Sequence, residues 1–269
     1  MESKRIKFDT CIVGTGKAGI DFSAKLAQKY DLPTESKSCQ IGVRFESPQK
    51  YFQKLIDVSY DFKLYQKFDN VSIRSFCTNN NAAFVAVEET YGDISYNGHA
   101  KKGEEFKNEM TNFGILMEIK GIENPFEWSR EVVKKCQDKL IGTGLYYSPH
   151  RFRDSSLTSE GNKVASSQVP DALDVFKEAF GNYADYILNF IADMNEVFQF
   201  GDDWGMYIPE VKYLSPEPLV NYNDLSLNQY PNVHFVGDAL SARGITVSGA
   251  HGVYVAESIL QESGIFITK

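Results

Sequence analysis

The period of the apolar positions changes several times along this chain, and each change marks an element. An apolar run at Cys11-Ile-Val13 reads as a strand, and Ile20 to Tyr30 carries apolar residues on one helical face. A polar connector, Asp31 to Ser38, leads to the extended segment Cys39-Gln-Ile-Gly-Val-Arg44-Phe-Glu46. From Tyr60 to Lys120 the pattern shortens to alternating segments at 60–65, 71–77, 83–87, 93–96 and 112–119, punctuated by Asn/Gly turns. That predicts mostly antiparallel sheet. Asn124-Pro125 opens a helix to about Leu140, with Pro early and Glu127 near its N-terminus. Residues 141–168 read as a polar loop. In it, Arg151-Phe-Arg153-Asp154 reads first as surface and second as an anion contact. Pro170 to Phe200 reads as two packed helices broken at Gly181. Strands over Tyr207–Ser215 and Val233–Val236 precede a final helix over Ile245–Leu260.

The closing stretch carries the clearest chemistry. A buried strand runs into Gly237-Asp238, crosses a short loop and enters a helix whose first turns hold Gly244, Gly249 and Gly252. An Asp at a strand end accepts hydrogen bonds from ribityl hydroxyls, and glycines let a bulky cofactor approach the backbone. The positive end of the helix dipole then favours negative charge on a reduced flavin.

Composition narrows the classes. A chain of 269 residues, 42% hydrophobic and 24% charged, holds one large or two small domains with a real core. A net charge of -8 without a Lys/Arg-rich run argues against a nucleic-acid partner. No stretch approaches the ~18 apolar residues of a membrane span, so no membrane partner and a cytoplasmic location are expected. Cys11, Cys39, Cys77 and Cys136 are scattered, without metal-ligand spacing, so no metal site is expected and free thiols are.

Near the start, Gly14-Thr-Gly16-Lys-Ala-Gly19 between a strand and a helix has the pattern of a dinucleotide-binding turn. The acidic residue expected ~20 positions on has no good counterpart. Glu35 sits in a polar connector, and Glu46 comes later than the pattern requires.

Four separated motifs in order resemble a known family. They are Ile12-Val-Gly-Thr15-Gly16-Lys17 through Ile41-Gly-Val-Arg44-Phe-Glu46, Ser75-Phe-Cys77 with Tyr96-Asn97-Gly98-His99, Pro209-Glu210-Val-Lys212, and Gly237-Asp238 through Arg243-Gly244-Ile245. Together they resemble the FAD-dependent dehydrogenases of the glutathione-reductase-like class, over roughly Phe8 to Leu260. Lys17 stands where that family tends to have Arg. The resemblance implies an α/β chain with α+β elements. Residues 1–46 and 205–269 would form a Rossmann-like flavin-binding part, and 47–204 a substrate domain with antiparallel sheet and helices.

It implies FAD as cofactor, bound by Gly237, Asp238, Arg243, Gly244, Ile245, Thr246, Gly249, Thr15 and Gly16. Lys212, His251 and Cys77 are the candidate catalytic groups, with His99 beside them. Lys212 would polarise flavin N5, its charge offset by Glu210; a solvated Glu-x-Lys pair is the alternative. A buried thiol and a turn histidine are the alternatives for Cys77 and His99, and His251 equally fits a helix face turned to the sheet. In that family the motifs follow an N-terminal ADP-binding half of ~150 residues, about one further domain. A second polypeptide supplying that half is the expected partner, beside a small-molecule substrate.

Three functions follow as expectations. The first is an FAD-dependent oxidoreductase, or the substrate-domain half of a split one. The second is a non-catalytic interaction protein that keeps the shell of the fold. The third is an NAD(P)-binding enzyme using Gly14, Gly16 and Gly19.

Overall fold

The computed structural model describes residues 8–15, 20–36, 38–140, 172–200, 204–213, 216–242 and 244–264. The expectations for Gly16, Lys17, Gly19, Arg243, the 141–168 loop and the end of the Tyr207–Ser215 strand lie outside the described residues. In chain order the elements begin β1 (Cys11–Thr15), α1 (Ile20–Lys29), β2 (Thr34–Glu35), β3 (Cys39–Pro48) and α2 (Gln53–Ile56). Next come β4 (Tyr65–Lys67), β5 (Val71–Asn80), β6 (Ala83–Thr90), β7 (Asp93–Ala100), β8 (Met110–Ile119) and α3 (Pro125–Leu140). Then follow α4 (Ala172–Phe180), α5 (Ala184–Phe198), β9 (Gly205–Lys212), β10 (Glu217–Pro218) and β11 (Val220–Asn221). The last are β12 (Ser226–Leu227), β13 (Tyr230–Gly237) and α6 (Ile245–Glu262). The fold is mixed α+β, and no helix among the described residues is long and apolar enough to cross a membrane.

The chain divides into two compact units, Met1–Lys37 with Leu214–Lys269, and Ser38–Tyr213. In the first, the sheet order is β1-β13-β12-β11, with β1 parallel to β13 and the other pairs antiparallel. Val13, Phe235, Val236, Leu225, Leu227 and Val255 form its core. Next to Phe235, and on the opposite face of the strand, His234 is also buried, its Nδ1 3.0 Å from the Asp224 carbonyl oxygen.

The second unit is built on the antiparallel sheet β4-β5-β8-β3-β9. β3 and β8 pair over ten residues, Cys39 opposite Ile119 through Pro48 opposite Met110. Residues 38–46 and 205–213, grouped by sequence with the flavin-binding part, therefore belong to this sheet. Their ladders to β8 and to each other hold them there. One phase of β3 and β8 supplies Ile41, Val43, Phe45, Phe113, Ile115 and Met117 to the core. Phe45 packs 5.2 Å from Phe113 and 5.3 Å from Trp204, ring centre to ring centre, and α5 contributes Ile187, Phe190, Ile191 and Met194. Burying each such side chain contributes roughly 1.5–3 kcal/mol.

The hairpin β6–β7 forms a separate two-stranded sheet. Its turn at Tyr91-Gly92, both at positive φ, is clamped by Arg130 of α3, which donates to Asp93 at 2.7 Å and to the Tyr91 carbonyl at 3.1 Å. The break between α4 and α5 falls at Gly181, whose φ of 57° suits glycine. The strand expected over 60–65 is confined to β4 from Tyr65. Before it, Leu64 N–H bonds the Ser75 hydroxyl at 2.8 Å, so a side chain takes the place of a ladder partner.

Candidate functional site

Each unit gathers part of the expected site. In the first, Thr15 and Gly237 are register partners at the C-terminal ends of the parallel strands β1 and β13. Ligands of open parallel sheets bind at that end. The chain then leaves the sheet through Gly237 at φ 66°, a conformation that a side chain would strain. Asp238 opens a short 3-10 turn and is half-buried. Ser241 N–H and Ala242 N–H close the turn on the carbonyls of Asp238 and Gly237, both at 3.0 Å. Gly244, at φ 96°, caps α6, and the Ser248 hydroxyl donates back to the Ala242 carbonyl at 2.7 Å.

The leading turns of α6 are open. Ile245 is 96% exposed, Thr246 and Val247 are exposed, and Val255 alone of the helix is fully buried. A Cβ at Gly244, Gly249 or Gly252 would meet nothing within 4 Å. Packing among the described residues therefore explains none of these glycines, and positive φ explains Gly244 alone. His251 is half-buried with Nδ1 shielded and without a hydrogen bond among the described residues.

In the second unit four of the five strands of the sheet, and the hairpin, converge on Arg44. The register places Arg44 opposite Gly114 on β8 and Tyr207 on β9, on the polar phase of the sheet. Its side chain is fully buried. Nη2 donates to Glu210 Oε1 at 2.6 Å and to Asn97 Oδ1 at 3.0 Å. Nη1 donates to the Cys77 carbonyl at 2.9 Å and reaches Asn112 Oδ1 at 3.5 Å. Asn79 joins the group by donating to Asn112 Oδ1 and the Cys77 carbonyl, both at 3.1 Å. Glycines make the room. Glu210 lies where a Cβ at Gly114 would stand, 2.8 Å from Oε2, and a Cβ at Gly98 would come 2.6 Å from Arg44 Nη1.

Cys77 is turned toward this arginine by an unusual backbone. It has φ 50°, at the point where the β5–β8 register slips between Phe76 and Asn79. The left-handed conformation costs a non-glycine residue about 1–2 kcal/mol. A hydrogen bond from a buried guanidinium contributes about 1.5–3 kcal/mol, enough to hold it.

Two more carboxylates surround the node. Tyr207 OH donates to Glu46 Oε1 at 3.0 Å, and burial pushes the Glu46 carboxyl above its ordinary range. Burial likewise raises Glu210, while the Arg44 charge pulls it back. Toward the surface, Asn97 Nδ2 donates to Glu88 Oε1 at 2.9 Å, and His99 Nε2 lies 3.4 Å from the same oxygen. The Glu-x-Lys pair is thus not a solvated pair: Glu210 is a buried partner of Arg44, and Lys212 extends over the Phe76 ring, Nζ 2.9 Å from its centre.

Among the described residues no group of three or more His, Cys, Asp or Glu is placed to hold a metal ion. No family model matches the chain, and no curated protein matches it.

Of the expected residues, then, Thr15 and Gly237 meet at the strand ends, with Asp238 and Gly244 to Thr246 following along the chain. Arg44, Cys77, Asn97 and Glu210, from three of the motifs, meet in the sheet unit. Asn79, Asn112 and Glu88 complete that node without having been singled out. Their signal was weak: an Asn inside an alternating strand reads as a polar position and does not say what it meets.

Proposed function

We propose that this chain serves an FAD-dependent oxidoreductase that moves hydride between a small organic substrate and flavin N5. The observation that carries the reading is the pairing of Thr15 with Gly237 at the ends of two parallel strands, followed by Asp238 and the open glycines of α6. A Rossmann-like flavin-binding part is proposed on the same ground. The residues fit the cofactor: Asp238 would accept from ribityl hydroxyls, and Gly244 to Thr246 would face the flavin pyrimidine edge. Gly249 would give it room. Flavin supplies the redox chemistry when bound. The chain's own task is to bind, orient and exclude water.

The partner follows from the same surface. Ile12 on β1 and Ile245, Val247 and Val253 on α6 are exposed apolar side chains. Parallel strand pairs are covered on both faces in folded domains. A second polypeptide supplying the ADP-binding half is the proposed cover.

The test is an absorbance spectrum of protein purified from its natural host, then again after adding FAD, with mass spectrometry of co-purifying chains. Bands near about 375 and 450 nm mark bound flavin. They should vanish in Asp238→Ala. A protein that stays colourless with added FAD, and with any partner present, rejects the reading.

A further inference from the structure

The first unit holds a pocket of about 260 Å³ between α1 and the sheet, and every residue that lines it belongs to that unit. Cys11 pairs in register with Val233 and Val13 with Phe235, so Cys11, Val13 and Val233 share one face of the sheet. These three line the pocket from the sheet side, with Leu227 of β12 beside them. Leu26 of α1 and Leu32, just beyond that helix, line it from the other side.

Tyr30 and Tyr230 complete the lining; they are 49% and 46% exposed, and Cys11 is exposed too. The pocket therefore opens to solvent past these residues. It is not a packing remnant, because voids in folded interiors rarely exceed one water, whose share of liquid volume is about 30 Å³. It also lies apart from the strand ends. Cys11 comes four residues before Thr15 on β1, about 13 Å away at the rise of a strand.

The lining defines the ligand. None of the lining residues is charged, so a charged group would enter without a partner. An apolar cavity of about 150 Å³ stays dry and binds benzene. The larger volume here has room for a second ring, and the two tyrosine rings at the mouth offer aromatic contacts.

We propose that this pocket binds a small neutral aromatic molecule of one or two rings. The site is separate from the strand ends where flavin is proposed, and it does not depend on that reading. The Cys11 thiol in its wall supplies a built-in reporter, because a ligand seated there covers it.

Brief alkylation of the full chain with iodoacetamide, over a series of 2-naphthol concentrations, tests this with peptide mass spectrometry reading each cysteine. Cys11 should be protected saturably, its rate falling about tenfold at roughly ten times the half-protecting concentration. Cys77, half-exposed in the other unit, should react at an unchanged rate. Leu26→Trp fills the pocket from α1 and should abolish the protection, whereas Leu26→Ala enlarges it and should keep the protection. Val197→Ser, at an exposed position on α5, should change nothing. Thermal melts of the variants confirm that they fold. No saturable protection of Cys11 overturns the site, as does wild-type protection in folded Leu26→Trp or equal slowing of Cys11 and Cys77. Tighter protection by 1-octanol than by 2-naphthol overturns the aromatic class. The alkylation needs no flavin, so its failure leaves the oxidoreductase reading standing, and a colourless chain that protects Cys11 keeps the pocket.

Discussion

Arg44 Nη2 donates to Glu210 Oε1 at 2.6 Å between the adjacent strands β3 and β9, with the arginine side chain fully buried. Such a pair roughly balances its desolvation, but removing one partner leaves an uncompensated charge in the interior. The same guanidinium also holds the Cys77 carbonyl and Asn97, so it ties β3 to β5, β7 and β9 at one point.

Arg44→Met should therefore destabilise the protein by about 3–5 kcal/mol. Arg44→Met combined with Glu210→Leu should cost clearly less than the two single changes added together, because both charges leave. It should still fall short of the wild type, since the Cys77 carbonyl and Asn97 lose their donor. Chemical denaturation of the four proteins checks this, and strict additivity would contradict the pairing.

Glu46 predicts a pH dependence. Its folded pKa is raised above the ordinary carboxyl value of 4.5, chiefly by burial, with Tyr207, Asn112 and Arg44 opposing. The native state therefore holds this proton more tightly than the unfolded chain. Its stabilising contribution is present in full below 4.5 and declines as pH rises toward the folded pKa. Glu46→Gln keeps a neutral acceptor for the Tyr207 hydroxyl. The variant should lose less stability than the wild type as pH rises above about 4.5, as read by urea midpoints over a pH series.

Thiol chemistry separates the four cysteines. Cys39 and Cys136 are buried, and burial pushes both thiols up to about 12. Cys11 is exposed and Cys77 half-exposed. A chromogenic disulfide reagent at neutral pH should titrate two thiols quickly in the native protein and all four after unfolding. Fast reaction of Cys39 or Cys136 would show that the sheet core opens readily.

Much of this fold was legible in the sequence, and the limits have physical causes. The apolar phase of β3, β8 and β13 predicted those strands, and Gly181 predicted the break between α4 and α5. The membership of β3 and β9 in one sheet was not legible, because ladder partners far apart in sequence leave no local pattern. Arg44, Cys77, Asn97 and Glu210 each drew notice as motif members. Their meeting depends on the left-handed turn at Cys77 and on the bare surface of Gly98 and Gly114, and a backbone conformation inside an alternating strand has no signature in residue type.

The glycines of α6 give the sharpest separation of stability from binding. In a helix interior, glycine is less favourable than alanine by about 1 kcal/mol. A Cβ at Gly249 or Gly252 would touch nothing within 4 Å among the described residues, so none of those residues holds either position to glycine by packing. Gly249→Ala and Gly252→Ala should each raise stability by roughly 0.5–1 kcal/mol. If these turns lie against a flavin, Gly249→Ala should at the same time weaken FAD binding, read by the loss of flavin absorbance on dilution. A stabilised Gly249→Ala protein with undiminished flavin affinity would mean that the open turns of α6 serve a different contact.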